Sequence, residues 1–363
     1  MPEFRSNEEI VQAARRNLAQ GPWDYLVGGS ESETTLRRNR QAFDRVAFRP
    51  RVLRDVGKID TSTTFLGQNL RMPVLLAPIG SLQAFTPTGG VAVAEAAHEF
   101  GIMPVISTAT EPGLETIAAS TPGAKVFQLY VRGDDDWVED ILERVMASGY
   151  IGLALTVDLA VDSRRERPML SGYTRLSRVG RVYTPLFQAR LTWERMEQIR
   201  GLVNVPFMVK GVQTAEDAEL CVEHGVDVIW VSNHGGRQMD HAIGTLDTLR
   251  EVTEAVQGRA EIILDGGVQR ATDVLKAVAM GARAVAIGRL TGWGLAANGK
   301  DGLVRVLEIL ENEMISAMGL LGVTSIDQLG PEFVRDAAPV TPSHEMSAWA
   351  NMPTPMGPGG RLL

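Results

Sequence analysis

From residue 72 onward the chain alternates short apolar runs with amphipathic stretches. The runs occupy 73–80, 103–110, 125–131, 151–158, 205–211, 226–233, 261–267 and 283–289. Each is aliphatic or β-branched without polar alternation, as in a parallel strand buried on both faces. Helical spacing between them predicts helices over about 91–100, from about 113, and over about 136–147, 214–224, 246–255, 271–280 and 293–318. One interval breaks the rhythm. After the fourth run, SRRERPMLSGYTRLSRVGRVYTP is polar with no clear periodicity and is assigned to a short lid at about 160–190. Residues 1–71 read as an N-terminal helical segment packed on the strand–helix units, with Asn7 expected to cap a helix through IVQAARRNL. Residues 321–363 form a C-terminal extension, partly irregular. Its Pro- and Gly-rich part from about Asp336 is expected to be extended or disordered, or to pack Trp349 on a neighbouring subunit.

Eight strand–helix units over 72–320 predict an α/β fold of the TIM (β/α)8 barrel type. A doubly wound open sheet is the competitor, but no GxGxxG follows the first run. A barrel gathers its chemistry at the carboxyl ends of its strands. Those ends read Ile79-Gly80, Ser107-Thr108, Gln128 to Tyr130, Thr156 to Asp158, Lys210, Ser232 to Arg237, Asp265 to Gly267 and Gly288-Arg289. Nearly all can donate a hydrogen bond or carry charge, which a purely structural barrel does not require.

The pattern of ends points to a ligand set. Gly266, Gly267 and Gly288 leave backbone amides open to a phosphate, with Arg289 or Arg270 supplying charge and Asp265 orienting amides or a ribityl hydroxyl. Ordinary tight turns would look similar. Lys210 is either a nucleophile, a fixed positive charge or a snorkelling surface lysine. With the neutral groups Gln128 and Thr156, a phosphate anchor and a lysine suit flavin mononucleotide (FMN) better than a dinucleotide. His234 and Arg237 follow the sixth run in a glycine turn. With Arg165 and nearby tyrosines they suit a carboxylate beside a group that loses a proton. Asp158 is a candidate to orient the imidazole.

Composition narrows the partners. A net charge of −8 and a pI near 5.3 give no basic footprint for nucleic acid. No apolar run approaches the roughly 20 residues of a membrane helix. The N-terminus lacks a secretory apolar region, and one cysteine, Cys221, excludes an internal disulfide. The five histidines lack zinc-ligand spacing, so no metal is expected. The expectation is a cytoplasmic protein with no membrane or nucleic-acid partner.

The segments SNHGGRQMD, WDYLVGGSESE, NRQAFDRVAFRPRVL, LLAPIG, FQLYV, LALTVD, SRRE, VKGV, LDGGV and AIGR occur in an order that resembles the FMN-dependent α-hydroxy acid oxidase and dehydrogenase family. That family includes glycolate, lactate and mandelate oxidising enzymes. The resemblance spans about Trp23 to Met318. It implies His234 as catalytic base paired with Asp158, and Tyr130 bonded to the substrate oxygen. It implies Arg165 and Arg237 as the carboxylate clamp, assisted by Tyr25. It implies Lys210 at flavin N1, with Gln128, Thr156, Ser107, Ser232 and the backbone of Pro78, Ile79 and Gly80 about the ring. Asp265, Gly266, Gly267, Gly288 and Arg289 then form the ribityl-phosphate site, and a homotetramer or homo-octamer is implied.

Departures are informative. Ile79-Gly80 replaces the usual threonine–alanine, and Thr108 stands where an aromatic is frequent beside the substrate. Both favour a bulkier or aryl side chain over glycolate. Gln269 replaces a phosphate-contacting arginine, with Arg270 as the candidate substitute, and Asp162-Ser163 replaces an apolar–glycine pair. The implied reaction is oxidation of an L-2-hydroxy acid to the 2-oxo acid, with oxygen or another acceptor reoxidising the flavin. Hydride transfer and α-proton abstraction both remain open. A larger substrate such as a modified peptide or natural-product intermediate is the alternative. A non-catalytic flavin barrel and a phosphate-binding barrel without flavin are the further rivals.

Overall fold

The computed structural model describes residues 4–178, 186–339 and 346–349. Eight parallel strands close a barrel. In chain order they are β1 (Val74–Leu76), β2 (Met103–Ser107), β3 (Val126–Leu129), β4 (Gly152–Thr156), β5 (Phe207–Val212), β6 (Val228–Val231), β7 (Glu261–Leu264) and β8 (Ala284–Ile287). Closure is made by β8 on β1, with Val285 opposite Val74 and Ile287 opposite Leu76. The strands fall on the eight apolar runs. Ser107, Gln128, Thr156 and Lys210 lie within the strand ends, and the remaining polar tips belong to the loops.

Alternation within each strand separates two cores. Leu75, Met103, Val105, Val126, Ala154, Met208, Val228, Trp230, Ile263, Ala284 and Ala286 fill the barrel. Phe65 and Leu70, from a hairpin over 63–70, join this inner cluster. The other faces meet the surrounding helices, including Gly90–Phe100, Asp135–Ala147, Thr245–Val256 and Ala271–Ala279. The last helix, Arg289–Leu321, is broken at Asn298 and Gly299. Helix Trp193–Gly201, which precedes β5, is absent from the sequence expectation. Only Met196 and Ile199 of it are buried, too few to register as a period.

Three N-terminal helices precede the barrel: α1 (Asn7–Asn17), α2 (Gln20–Val27) and α3 (Thr34–Asp44). Ser6 caps α1, its Oγ accepting from the Glu9 amide, whereas Asn7 is buried in the first turn and does not cap. α1 packs along helix Arg289–Leu321, and α3 lies against helix Thr245–Val256. The lid contains helix Glu166–Leu170, a single turn at Leu176–Arg178 and a short helix Leu186–Ala189; the expected lid over 179–185 lies outside the described residues. Strand Val334–Asp336 pairs antiparallel with Val46–Phe48.

Within the described tail, Met346 and Trp349 are buried on this chain's own barrel, not extended. Trp349 meets Trp293 edge-on with ring centroids 6.4 Å apart. The rest of the tail expected to be disordered, 340–345 and 350–363, lies outside the described residues.

Candidate active site

The carboxyl ends of the strands open on one cavity, lined among others by Tyr25, Tyr130, Arg165, Lys210, His234, Arg237, Asp265 and Arg289. His234 sits in the turn after β6 with left-handed backbone, φ 58°, and Gly235 and Gly236 continue it at 65° and 74°. A side chain at Gly236 would strike the backbone of Leu36, so that glycine lets the turn dock on α3. His234 Nδ1 lies 2.9 Å from Asp158 Oδ1, and its Nε2 is 3.4 Å from the Tyr130 hydroxyl. The carboxylate thus holds one ring nitrogen and leaves the other toward the cavity.

Burial pushes the His234 pKa below the ordinary histidine value, with Lys210 adding to the effect and Asp158 opposing it. Burial alone would raise the Asp158 carboxyl, but the charges of His234 and Lys210 and the bond to the imidazole leave it below the usual range. The Tyr130 phenol is pushed well up by burial and by Asp158, so it stays protonated. An uncharged imidazole on a buried carboxylate, beside a phenolic O–H, can accept a proton with a hydrogen-bond donor at its shoulder.

Arg165 and Arg237 are two of the arginines that line the cavity. Arg165 donates through Nε to the Arg237 carbonyl (3.0 Å) and through Nη2 to Gln238 Oε1 (2.8 Å). Arg237 donates to the Gly28 carbonyl at 2.8 Å and stacks over Tyr25 at 5.1 Å. The Tyr25 hydroxyl donates to the Gly80 carbonyl at 3.0 Å. Burial and the charge of Arg237 pull the Arg165 pKa down to about 9, and burial with Arg289 pulls Arg237 down to about 10. Among the described residues neither has a carboxylate partner. Half-buried cations left uncompensated by protein are costly, and an anionic ligand removes that cost.

A second cluster surrounds Lys210. Its Nζ donates to Ser232 Oγ (2.8 Å) and lies 3.1 Å from Asp265 Oδ2. Ser232 Oγ in turn accepts from the His234 amide (3.0 Å) and donates to Asp265 Oδ1 (2.7 Å). Asp265 therefore compensates the lysine. The loop after it turns through Gly266 and Gly267 at φ 102° and 83°. At Gly288 a side chain would meet no protein atom and would occupy the cavity instead.

The comparisons agree with this architecture. The family model described as FMN-dependent dehydrogenase matches residues 14–336. This chain belongs to the FMN-dependent dehydrogenase family. A peroxisomal (S)-2-hydroxyacid oxidase of Arabidopsis thaliana is 38% identical, with 92% of this chain and 97% of that one covered. An L-lactate oxidase of a Nostoc species is 38% identical, covering 90% and 96%. A crystal structure of mandelate oxidase superposes with TM-score 0.86 at 36% identity, over 93% of this chain and 100% of the other. The resemblance, the barrel and the flavin expected from the sequence are thereby borne out.

The residues present fit the family's cofactor. Gln128 donates to Thr156 Oγ1 at 2.9 Å, while its buried Oε1 has no partner, an open acceptor for a ring N–H. Lys210 supplies a fixed charge, and the glycine turns after β7 and β8 leave backbone bare at the cavity. Pro78, Ile79, Gly80, Gly266, Gly267 and Gly288 line the cavity, while Ser107, Gln128, Thr156, Ser232 and Asp158 stand behind the wall. Arg289 also lines it and donates to the carbonyls of Val27, Gly28 and Gly235.

Two further expected contacts, Arg270 and Thr108, are also absent from the cavity wall and have their side chains engaged elsewhere. Arg270 is held by Glu313 (2.5 Å), the Ala348 carbonyl (3.1 Å) and the Trp349 ring (4.8 Å), so it cannot stand in for the phosphate-contacting arginine. Thr108 spends its hydroxyl between the strands, donating to the Gln128 carbonyl (2.6 Å) and accepting from the Tyr130 amide (3.1 Å). Ala109 lines the wall there instead.

Two glutamines escaped the sequence reading. Gln238 holds Arg165 from one side of its amide and donates to the Asp158 carbonyl from the other, at 3.1 Å. Gln188 braces two strand tips, donating to the Thr156 carbonyl (2.6 Å) and accepting from the Val131 amide (2.9 Å). The QMD following the arginine was the only signal for Gln238; Gln188 had none.

Proposed function

We propose that this enzyme oxidises an L-2-hydroxy acid bearing a bulky or aryl side chain to the 2-oxo acid, with His234 as the base. The observation that carries the reading is the pair of half-buried guanidinium groups, without a carboxylate partner among the described residues, sharing a cavity with an imidazole tied to Asp158. Arg165 and Arg237 bind the substrate carboxylate, Tyr25 flanks them, and Tyr130 donates to the substrate oxygen. That anchoring presents the α-carbon in one orientation, which is catalysis by positioning. His234 takes the proton at Nε2, and Asp158 stabilises the resulting cation.

Lys210, Gln128, Thr156, Ser107 and the backbone of Pro78 to Gly80 would hold the flavin ring, with Ser232 fixing the lysine. Gly266, Gly267, Gly288, Arg289 and Asp265 would hold the ribityl phosphate. FMN, when bound, takes up the two electrons and passes them to oxygen or another acceptor. The apolar wall of Ile79, Phe85, Ala109 and Leu159 supports the side-chain assignment. Gly80 itself opens no extra room, contrary to the expectation: a methyl there would come 2.8 Å from the Ala109 Cβ, so the protein already fills that space. A related mandelate oxidase has been solved with (S)-mandelic acid and with benzoyl-formic acid.

Cytoplasmic location and a homotetrameric or homo-octameric assembly complete the proposal, although three relatives are named peroxisomal. Among the described residues, no helix is long and apolar enough to cross a membrane and no acidic, His or Cys group could hold a metal. Anaerobic bleaching of the flavin against a panel of (S)-2-hydroxy acids tests the reaction. Aryl acids should exceed glycolate in kcat/KM by at least about tenfold, the scale of a filled apolar pocket. Equal or better use of glycolate would defeat the side-chain assignment.

A further inference from the structure

Asp162 is paired with two arginines at the edge of the lid, and nothing in the chemistry above uses it. Its Oδ1 accepts from Arg175 Nη2 at 3.0 Å, and its Oδ2 pairs with Arg178. Arg175 borders two spaces. One is the reaction cavity; the other is a recess under the lid, walled by Asp162, Pro168, Met169 and Tyr173. The two share Tyr25, Arg165, Arg175 and Arg178, so a substrate held at the carboxylate clamp has both arginine partners of Asp162 within the same wall. Arg175's charge reaches the reaction site, where it lowers the pKa of Arg165 and of Arg237. Its side chain is only 22% exposed and that of Asp162 34%, so solvent screens the pair incompletely.

We propose that Asp162 is a specificity determinant that occupies Arg175 and Arg178 as an internal carboxylate and thereby excludes 2-hydroxy acids carrying a second carboxylate. The inference rests on the hydroxy-acid reading of the site. A guanidinium on a cavity wall attracts any carboxylate able to reach it. Asp162 meets that demand from within the chain, where its effective concentration exceeds that of a free ligand. A side-chain carboxylate arriving there would also lie against Asp162, and like charges set side by side reject the wrong partner. A neutral aryl side chain meets neither obstacle, so the selection runs in favour of monocarboxylates.

The test is Asp162→Asn, which keeps shape and an acceptor oxygen but removes the charge. Kinetics with (S)-2-hydroxyglutarate and (S)-mandelate should show at least about a tenfold rise in kcat/KM for the dicarboxylate, carried by KM. The monocarboxylate should stay within about threefold. Adding Arg175→Gln together with Arg178→Gln should cancel the gain. Titrating the holoenzyme's flavin absorbance with 2-oxoglutarate and benzoylformate reads the same ratio without turnover. Failure of every hydroxy acid to react would then defeat the assigned reaction, while this binding ratio still decides the role of Asp162. An unchanged ratio, or an equal loss for both acids as from a loosened lid, overturns the proposal. Flavin content and melting temperature matching the parent enzyme show that the variant is folded.

Discussion

His234 carries the sharpest consequence at the scale of one residue. A base must be uncharged to accept a proton, and burial lowers the pKa of this imidazole. Depressing the pKa keeps the neutral form available at lower pH. The acidic limb of kcat/KM for flavin reduction should therefore have its midpoint below the ordinary histidine value of roughly 6.5, and activity should fall as pH drops through it. A midpoint above that value would contradict the assigned environment. Replacing His234 by Gln should slow anaerobic flavin reduction by at least about 100-fold, with the protein still yellow. Normal bleaching in that variant would remove His234 as the base. Residue identity alone did not separate the residues that face the cavity from those that brace it. Thr108 and Ser232 look like ligand contacts in the sequence, yet their hydroxyls are used on the protein's own backbone and side chains.

Among elements, α3 decides whether the loops after β6 and β7 hold their shape. Asn39 and Asn233 bond reciprocally, at 3.0 and 2.8 Å, and Asn39 Oδ1 also accepts from the Thr245 amide. Arg40 reaches the Gly267 carbonyl (2.5 Å) and Asp273 (2.7 Å). Asn39→Leu would strip the buried Thr245 amide of its acceptor and leave Asn233, 2% exposed, with only its bonds to Ile243 and Gly236. Chemical denaturation should show a loss of about 1–3 kcal/mol. A slower flavin reduction should accompany it, because Asn233 precedes His234; full stability would show that the pair is not needed. The β5 tip makes a similar point. The register slips between Lys210 and Val212, and Gly211 has φ 120°. A Cβ there would lie 2.7 Å from that of Asp158, so the bulge makes room for the carboxylate behind His234. The run VPFMVKG announced a strand but not its bulge, because a register shift depends on the neighbouring strand.

Across the whole molecule, the C-terminal segment returns to the barrel. Trp349 lies between Trp293 and Arg270, and Glu313 receives both the Arg270 side chain and the Ala271 amide. Arg270 closes the loop whose glycines line the cavity, so the tail braces that loop from outside. Trp349→Ala should cost about 3–5 kcal/mol by burial alone and should also weaken FMN binding, read by flavin fluorescence on titration of apoenzyme. A stability loss with unchanged FMN affinity would confine Trp349 to packing.

The eight strands, their order and the polar groups at their tips were legible in the sequence, since each depends on local periodicity and on which residue ends a run. The sequence also carried the family through motifs whose spacing persists. Folding alone decided that Arg270 turns outward, that Thr108 bridges two strands and that Asp162 meets Arg175. Those outcomes rest on pairings between residues distant along the chain, and a side chain's direction is set by whichever partner the closed barrel brings within reach.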